Sequence, residues 1–412
     1  MKIGIVMYQT SNSKGQEIVA QNMVREFRKL AHDAYLITSP YHDGERVVPV
    51  EFYERSLEGY FFTEESDLQT PLIRVNGYLS SWPPRRIMFH YFTDILRRIV
   101  DRFELDALIT HSTLWNGPED VANYILWRRT IRELGLHREE VIYCHMPHFQ
   151  PPDPIQYPIS ERAFRMAWNR LVLPQIFRTA NSILVTTPIE EEHMMRLGAK
   201  EAQCFLYPAA VDEGIFQLHK DASFEHFRKK HGIPEGAKII SYLGTVEARK
   251  NPLAVVKVAK KLRHVEDVHF VIAGRGSNQE SAVREEMRGL TNVSYIGEVD
   301  DREKVQLIKG SYLNVLLSRM EALGIVQLEF MYVGVPVITS AVGGQRWVVR
   351  PEVDGIHVKG PEDVDGAYKA IKFLIENPDK RDEMGKKATE RAQKFTLSYT
   401  TRELEQKLLS FR

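Results

Sequence analysis

The sequence predicts an α/β protein built from two Rossmann-like domains, each with a mainly parallel sheet. Short apolar runs typical of buried strands alternate with segments of helical period, and this alternation favours parallel sheets with crossover helices. The pattern stops near Val211–Asp221 and then restarts. At 412 residues the chain exceeds one compact core. We therefore expect two α/β domains of similar size, facing a central cleft.

The N-terminal domain begins with a predicted strand, Lys2–Tyr8, followed by a helix after Gly15. Further strands are expected at Ala34–Thr38, Asp106–Thr110, Glu140–Cys144, Ser182–Thr186 and Cys204–Tyr207. Gly15 lies in the first strand-to-helix turn, where a glycine lets the backbone approach a phosphate or sugar closely. A plain turn glycine is the alternative interpretation.

The C-terminal domain repeats the strand–helix alternation. Its expected strands are Lys238–Leu243, Val268–Ala273, Val293–Ile296, Ser311–Ser318, Val335–Thr339 and Gly355–Val358. Its expected helices are Leu253–Leu262, Glu280–Leu290, Gly324–Tyr332, Asp363–Asn377 and Asp382–Lys394. We place the domains at 1–211 and 212–395, with an amphipathic helix pattern over 396–412. Ligands of open α/β sheets bind at the carboxyl ends of such strands.

Bulk composition limits the classes of function. Lys+Arg and Asp+Glu are equal at 55 each, so no overall positive charge favours nucleic acid. The sequence has only two cysteines, Cys144 and Cys204, so we expect a reducing cytoplasm and no disulfide framework. No apolar run approaches the length of a membrane span.

Two glutamates, Glu321 and Glu329, stand eight positions apart and follow a predicted strand. Glu321 is expected just beyond the strand's carboxyl end, and Glu329 further along the next helix. The free N–H groups of Gly324, Ile325 and Val326 at the helix start would suit a phosphate. An alternative is that these acids simply belong to a solvated helix face.

This block resembles the signature of retaining glycosyltransferases of family 4, which have the GT-B fold: Glu, seven residues, Glu, usually with Gly-Phe-Gly after the first Glu. Here Ala322-Leu323-Gly324 keeps only the second glycine. The resemblance implies transfer of a hexosyl group from a UDP-, GDP- or ADP-sugar to a hydroxyl acceptor, without a metal or other cofactor. It also implies that the last helix crosses back onto the N-terminal domain; capping its own domain is the alternative.

The resemblance also assigns roles to the two glutamates. Glu321 would lie against the donor sugar, and Glu329 would accept hydrogen bonds from the ribose hydroxyls.

Lys250 stands in a segment that follows a strand and opens a helix, where a cation holds a diphosphate. The family has Gly-Arg, four residues, Lys here; Lys250 matches, but Thr245 replaces the arginine. Arg249 is a candidate for the missing charge, although adjacent helix residues do not face the same way. Gly274, Glu298 and Val299 match turns that flank the nucleotide in the family.

His145 follows a predicted strand, where the family has a histidine near the donor's anomeric carbon and phosphate. His111 ends another strand. His145 and His148 could suggest a metal, but no acid or thiol cluster completes a site. Asp363-Val364-Asp365 has a metal-binding form, yet begins a helix, so capping is expected.

Two interpretations concern partners. A basic amphipathic stretch from Arg85 to Arg102 could lie on an anionic membrane or could be a core helix with solvated arginines. Acceptor contacts are expected in N-terminal loops such as Pro147–Pro158, and small-molecule, lipid and glycan acceptors all stay open, as does the oligomeric state. The alternatives to a transferase are a nucleotide-sugar epimerase of the same fold and a catalytically inactive nucleotide-sugar-binding regulator.

Overall fold

The computed structural model describes residues 1–11, 15–54, 58–64, 70–81, 86–136, 140–149 and 157–412. The chain divides into two compact units. The first comprises Met1–Pro208 with Thr401–Arg412, and the second comprises Ala209–Thr400. Each unit is built on one main sheet of largely parallel strands, which confirms the predicted α/β class.

Twelve strands and seven complete α-helices are described in the first unit, together with a 3-10 helix at Glu201–Gln203. The strands are β1 Lys2–Met7, β2 Asp33–Thr38, β3 Tyr41–His42, β4 Glu45–Arg46, β5 Tyr60–Thr63, β6 Leu72–Val75, β7 Gly77–Leu79, β8 Ile87–Phe89, β9 Ala107–His111, β10 Ile142–Met146, β11 Ser182–Val185 and β12 Cys204–Leu206. The helices are α1 Gly15–Lys29, α2 Val50–Glu54, α3 Phe92–Phe103, α4 Asn116–Glu133, α5 Ile159–Leu171, α6 Leu173–Thr179 and α7 Pro188–Arg196.

The main sheet of the first unit has the order β12-β11-β10-β9-β1-β2-β6-β5. All neighbours are parallel except β5, which runs antiparallel to β6. Strands β3 to β8, each of two to four residues, are not predicted by the sequence pattern.

The basic stretch predicted from Arg85 to Arg102 is not one helix. Arg85 lies outside the described residues, Ile87–Phe89 forms strand β8, and the helix begins only at Phe92. The apolar side of α3 is buried in the core of its own unit. The apolar face that membrane contact would require is therefore already covered. In the described parts of the chain, no helix is long and apolar enough to cross a membrane.

In the second unit strands and helices alternate from the helix before the first strand to the helix after the last strand, with a further helix at each end. Its strands are β13 Lys238–Leu243, β14 Val268–Ala273, β15 Val293–Gly297, β16 Leu313–Leu316, β17 Val337–Thr339 and β18 Gly355–His357. Its helices are α8 Glu213–Leu218, α9 Phe224–Lys230, α10 Pro252–Lys261, α11 Glu280–Glu286, α12 Asp301–Gly310, α13 Ile325–Tyr332, α14 Gln345–Val348, α15 Val364–Glu376 and α16 Pro378–Ala392.

The sheet of the second unit has the order β15-β14-β13-β16-β17-β18, and every pair is parallel. All its carboxyl ends therefore share one edge, where α/β proteins bind ligands. The last helix, α17 Leu397–Leu409, starts in the second unit and ends in the first. Leu404 and Leu408 of α17 are fully buried in the core of the first unit, beside strand residues such as Ile3.

Candidate functional site

An ion pair lies at the carboxyl edge of the second unit's sheet. Lys250 follows β13 and Glu321 follows β16, and these strands are parallel neighbours. The Lys250 ammonium donates a hydrogen bond to Oε1 of Glu321. Ser318 Oγ donates to the same oxygen at 3.1 Å. The Glu321 side chain is only 6% exposed, so these two donors take the place of water at Oε1.

The start of α13 lies directly after this pair along the chain. Gly324 is the N-cap residue and adopts the left-handed conformation, with φ 89°, which glycine tolerates best. Its carbonyl accepts the Gln327 N–H at 2.9 Å. The N–H groups of the first helical residues, Ile325 and Val326, have no acceptor within the helix itself. The edge thus combines a cation with backbone donors suited to an anion.

Two glycines allow the loop after β17 to pack against the loop that carries Glu321. A Cβ at Gly343 would lie 1.9 Å from the Glu321 carbonyl oxygen, and one at Gly344 would lie 2.1 Å from the Ala322 carbonyl oxygen. The Gly344 N–H donates to that Ala322 oxygen at 3.0 Å. Only glycine permits such a close backbone approach, which fixes the position of Glu321.

Gln345 is a residue that sequence analysis did not select for this site. It is fully buried, and its Nε2 donates to Gln327 Oε1 at 3.0 Å. Ser340 Oγ donates to the Ser318 carbonyl at 2.6 Å and lies 3.2 Å from Gln345 Oε1. This network joins the turn before Glu321, the start of α13 and the loop after β17. A glutamine after a Gly-Gly turn carries no sequence signal that would identify it.

Glu329 is buried on α13 and forms a second ion pair. Lys304 of α12 donates to its Oε1 at 2.5 Å. The other carboxylate oxygen, Oε2, is buried and has no hydrogen-bond partner among the residues the structure describes. Burial raises the pKa of Glu329, and Lys304 opposes that rise. The sequence pattern does not identify Lys304. The one sequence signal for it is that a carboxylate on an apolar helix needs a cation nearby.

Arg249 is not brought onto the Lys250–Glu321 pair. Its guanidinium pairs with the Glu247 carboxylate at 2.7 Å, and its side chain is 43% exposed. The Thr245 carbonyl accepts a hydrogen bond from Tyr242. The structure therefore gives no support to Arg249 as a replacement for the family arginine.

The remaining predicted nucleotide contacts lie on the same edge. The N–H of Gly274 donates to the Gly297 carbonyl at 2.7 Å, and a Cβ at Gly274 would lie 2.0 Å from the Gly244 carbonyl oxygen. Gly274 is thus required for packing between neighbouring turns. Glu298 is exposed and Val299 half-buried in the loop between β15 and α12.

Three histidines lie at or just beyond the carboxyl ends of two neighbouring strands in the first unit. His111 ends β9, and His145 and His148 lie at the end of β10 and just after it. His111 Nδ1 and His148 Nε2 are 3.0 Å apart. Burial lowers the pKa of His145 to about 3 and that of His148 to about 4. These imidazoles are therefore neutral at pH 7.

Other predicted features of the first unit are less informative. Gly15 opens α1 and is exposed, and a Cβ there would meet no described atom within 4 Å. The loop predicted over Pro147–Pro158 lies largely outside the described residues, which omit 150–156.

The two metal interpretations receive no geometric support. Asp363 is the N-cap of α15, and its carboxylate accepts hydrogen bonds from the N–H groups of Gly366 and Lys359, both at 2.9 Å. This confirms the capping role. Across the described ranges, no group of three or more His, Cys, Asp or Glu side chains is arranged to hold a metal ion.

Comparisons with known proteins place this geometry in context. Residues 223–391 match the family described as Glycosyl transferases group 1. A D-inositol 3-phosphate glycosyltransferase from Xylanimonas cellulosilytica is 28% identical over 197 residues, which cover 45% of this chain and 46% of that relative. The chain spans about half the length of the curated relatives it matches.

Solved structures extend the likeness over the whole chain. A sucrose-phosphate synthase from Thermosynechococcus elongatus has a TM-score of 0.67 at 18% identity, over 100% of this chain and 98% of that one. Anabaena HepE in complex with UDP has a TM-score of 0.69 at 15% identity, over 100% of both chains. At these identities the likeness shows the fold alone, and it confirms the predicted GT-B class.

Proposed function

Since residues 223–391 belong to the glycosyl transferases group 1 family, we propose that this protein is a retaining glycosyltransferase. It moves a hexosyl group from a nucleotide-sugar to a hydroxyl acceptor. The observation that carries the proposal is the Lys250–Glu321 ion pair, set beside the Gly324 start of α13 at the carboxyl edge of the sheet. The nucleotide-sugar binds to the second unit, and acceptor contacts come from the first.

Charge accounts for the roles of these groups. As the glycosidic bond breaks, negative charge accumulates on the departing diphosphate. Lys250 and the N–H groups at the start of α13 stabilise that charge, so they lower the barrier as well as bind the donor. Glu321 accepts hydrogen bonds from the donor sugar. Oε2 of Glu329, which is buried and has no hydrogen-bond partner among the described residues, suits a ribose hydroxyl that would satisfy it.

The reaction follows the same-face route. The acceptor hydroxyl attacks from the side that the diphosphate leaves, and a phosphate oxygen takes the hydroxyl proton. The new glycosidic bond then has the configuration of the bond that broke. No metal takes part, so excess chelator would leave the rate unchanged.

The first test is nucleotide binding by thermal shift with UDP, GDP and ADP, alone and as sugar conjugates. UDP is the first candidate, because the similar HepE structure is a complex with UDP. A bound ligand raises the midpoint with the logarithm of its concentration over Kd. We expect one nucleotide to stabilise the wild type but not Glu329→Gln. Glu286→Gln, which also breaks a Lys–Glu pair between helices, is the matched control. No shift with any nucleotide would contradict the proposal.

The second test is product analysis with the nucleotide that binds. Transfer to a hydroxyl acceptor with the anomeric configuration retained, seen by NMR, supports the proposal. An isomerised sugar released without acceptor would instead identify an epimerase. Tight binding without turnover across a panel of acceptors would favour a regulator.

A further inference from the structure

A buried chain of hydrogen bonds runs through the first unit to His145. Tyr143 OH lies 3.1 Å from the Pro118 carbonyl oxygen and 3.1 Å from Thr110 Oγ1. Thr110 Oγ1 in turn lies 2.8 Å from Nδ1 of His145. Tyr143, Thr110 and His145 are all completely buried. Because no water competes with these bonds, the position of every proton in the chain can be assigned.

The assignment starts from Pro118, whose carbonyl can only accept. The single hydroxyl proton of Tyr143 is therefore donated to Pro118. The bond between Tyr143 and Thr110 then needs the proton of Thr110, which points to the tyrosine oxygen. Thr110 has no further proton to give, so the bond to His145 needs a proton on the imidazole Nδ1. A neutral imidazole carries one N–H, which leaves a lone pair on Nε2.

The Nε2 atom of His145 is itself buried and has no hydrogen-bond partner in the described part of the chain. Burial keeps this imidazole neutral at pH 7, since its pKa is lowered to about 3. An unpaired buried acceptor is costly, so each one calls for an explanation. The strand end where it lies is also where α/β proteins bind ligands.

We propose that Tyr143 and Thr110 are positioning residues that hold His145 as the Nδ1–H tautomer, so that Nε2 accepts a hydrogen bond from a substrate hydroxyl. The inference rests on the proposed transferase function for the identity of that substrate. A lone pair on Nε2 repels phosphate oxygens, which are acceptors only. The partner is therefore a hydroxyl of the donor sugar or of the acceptor, and not the diphosphate.

The tautomer is tested by 15N NMR of histidine-labelled protein without substrate, with the His145 signals assigned by loss in His145→Gln. We expect Nδ1 protonated and Nε2 unprotonated in the wild type. In Tyr143→Phe the Thr110 proton is free to turn to Nδ1, so the tautomer shifts towards Nε2–H. Tyr124→Phe removes another buried tyrosine hydroxyl, one bonded to Arg128, and leaves the His145 signals unchanged. Thr110→Ser keeps the hydroxyl and the tautomer.

A wild-type protein with Nε2–H, or a tautomer unaffected by Tyr143→Phe, would overturn the assignment. Kinetics test the substrate part. Tyr143→Phe should raise KM for either the donor or the acceptor about tenfold, as for one lost hydrogen bond, and Tyr124→Phe should not. A shifted tautomer with both KM values unchanged would overturn the hydroxyl role. Because the NMR needs no substrate, failure of the transferase proposal would be seen separately, as absence of product in the wild type.

Discussion

The two units carry different chemistry at the carboxyl ends of their parallel sheets. In the second unit, Lys250 pairs with Glu321 and Lys304 pairs with Glu329, so each buried carboxylate lies beside a partly exposed lysine. In the first unit, burial keeps His145 neutral at pH 7. A charged edge suits a ligand with charge of its own, such as a diphosphate, and a neutral edge suits hydroxyl groups. The same architecture thus provides two kinds of ligand environment.

The two edges nevertheless share one feature. Each has a buried acceptor atom that lacks a partner within the described residues, Oε2 of Glu329 in the second unit and Nε2 of His145 in the first. Both atoms can accept a hydrogen bond from a hydroxyl and neither can donate one in its assigned state. The two edges therefore differ mainly in the charge of their side chains, because both offer a buried hydrogen-bond acceptor.

Lys250→Met should have the largest effect of any single change at either edge. It removes the cation proposed to stabilise the leaving diphosphate, and loss of one such group lowers kcat by about 10²–10³-fold. Steady-state kinetics of sugar transfer measure the effect. The control is Lys261→Met, which removes an exposed lysine paired with Asp365 in the same unit. If kcat of the Lys250→Met enzyme were within threefold of the wild-type value, Lys250 would not stabilise the leaving group.

Lys304→Met tests whether the second unit depends on compensated charge. At pH 7.5 the ionised Glu329 would be left buried without its cation, which should lower the free energy of unfolding by about 3 kcal/mol. Burial already raises the pKa of Glu329. The folded state therefore holds the proton to higher pH than the unfolded state, and stability falls as pH rises. The difference in free energy of unfolding between the wild type and the variant should consequently be smaller at pH 5.

Urea unfolding at the two pH values measures this difference. Lys230→Met is the control, because it removes an exposed lysine whose partner Glu303 also pairs with His231. An equal deficit at pH 5 and pH 7.5 would show that Lys304 contributes packing and not charge.

The first unit should respond to pH in the opposite direction. An unfolded histidine has a pKa of about 6.5, whereas burial lowers that of His145 to about 3 and that of His148 to about 4. Below about pH 6.5 the unfolded state binds protons that the folded state does not, so stability is lost as pH falls. Each histidine should lower the free energy of unfolding by about 2 kcal/mol when the pH falls from 6.5 to 5.

Comparing unfolding of the wild type with the double variant His145→Gln/His148→Gln checks this expectation. The wild type should lose more stability on acidification than the variant does. His264→Gln, at an exposed position, should behave like the wild type. Equal slopes in all three proteins would mean that these histidines become protonated without unfolding.

The sequence predicted the position of a site residue correctly where that position depends on a single strand–turn–helix segment. Lys250 and Glu321 were each selected because they follow a strand, and parallel pairing of those strands brings them into contact. The fold class followed from the same alternation. Their catalytic roles remain predictions.

Sequence reasoning failed where a group depends on a partner from a distant element. Lys304 reaches Glu329 from another helix, and Gln345 joins three loops from a fully buried position. The Tyr143–Thr110–His145 chain forms only because β9 and β10 pair in this register and the start of α4 places the Pro118 carbonyl beside Tyr143. No spacing rule specifies such contacts, because they depend on how elements pack and not on local sequence.

Asp363→Ala should have the smallest effect on activity and stability of the changes proposed. It tests whether an acid of the second unit is structural or functional. The Asp363 carboxylate caps α15, and hydrogen bonds from the N–H groups of Lys359 and Gly366 lower its pKa. Loss of the cap should reduce the free energy of unfolding by about 1 kcal/mol. Sugar transfer should be unchanged, with or without a chelator, because both carboxylate oxygens accept backbone N–H groups at the helix start. Asp365→Ala is the matched control, since that side chain is 73% exposed and does not cap the helix. If Asp363→Ala abolished transfer while leaving stability intact, the Asp-Xaa-Asp segment would have to be counted among the functional acids after all.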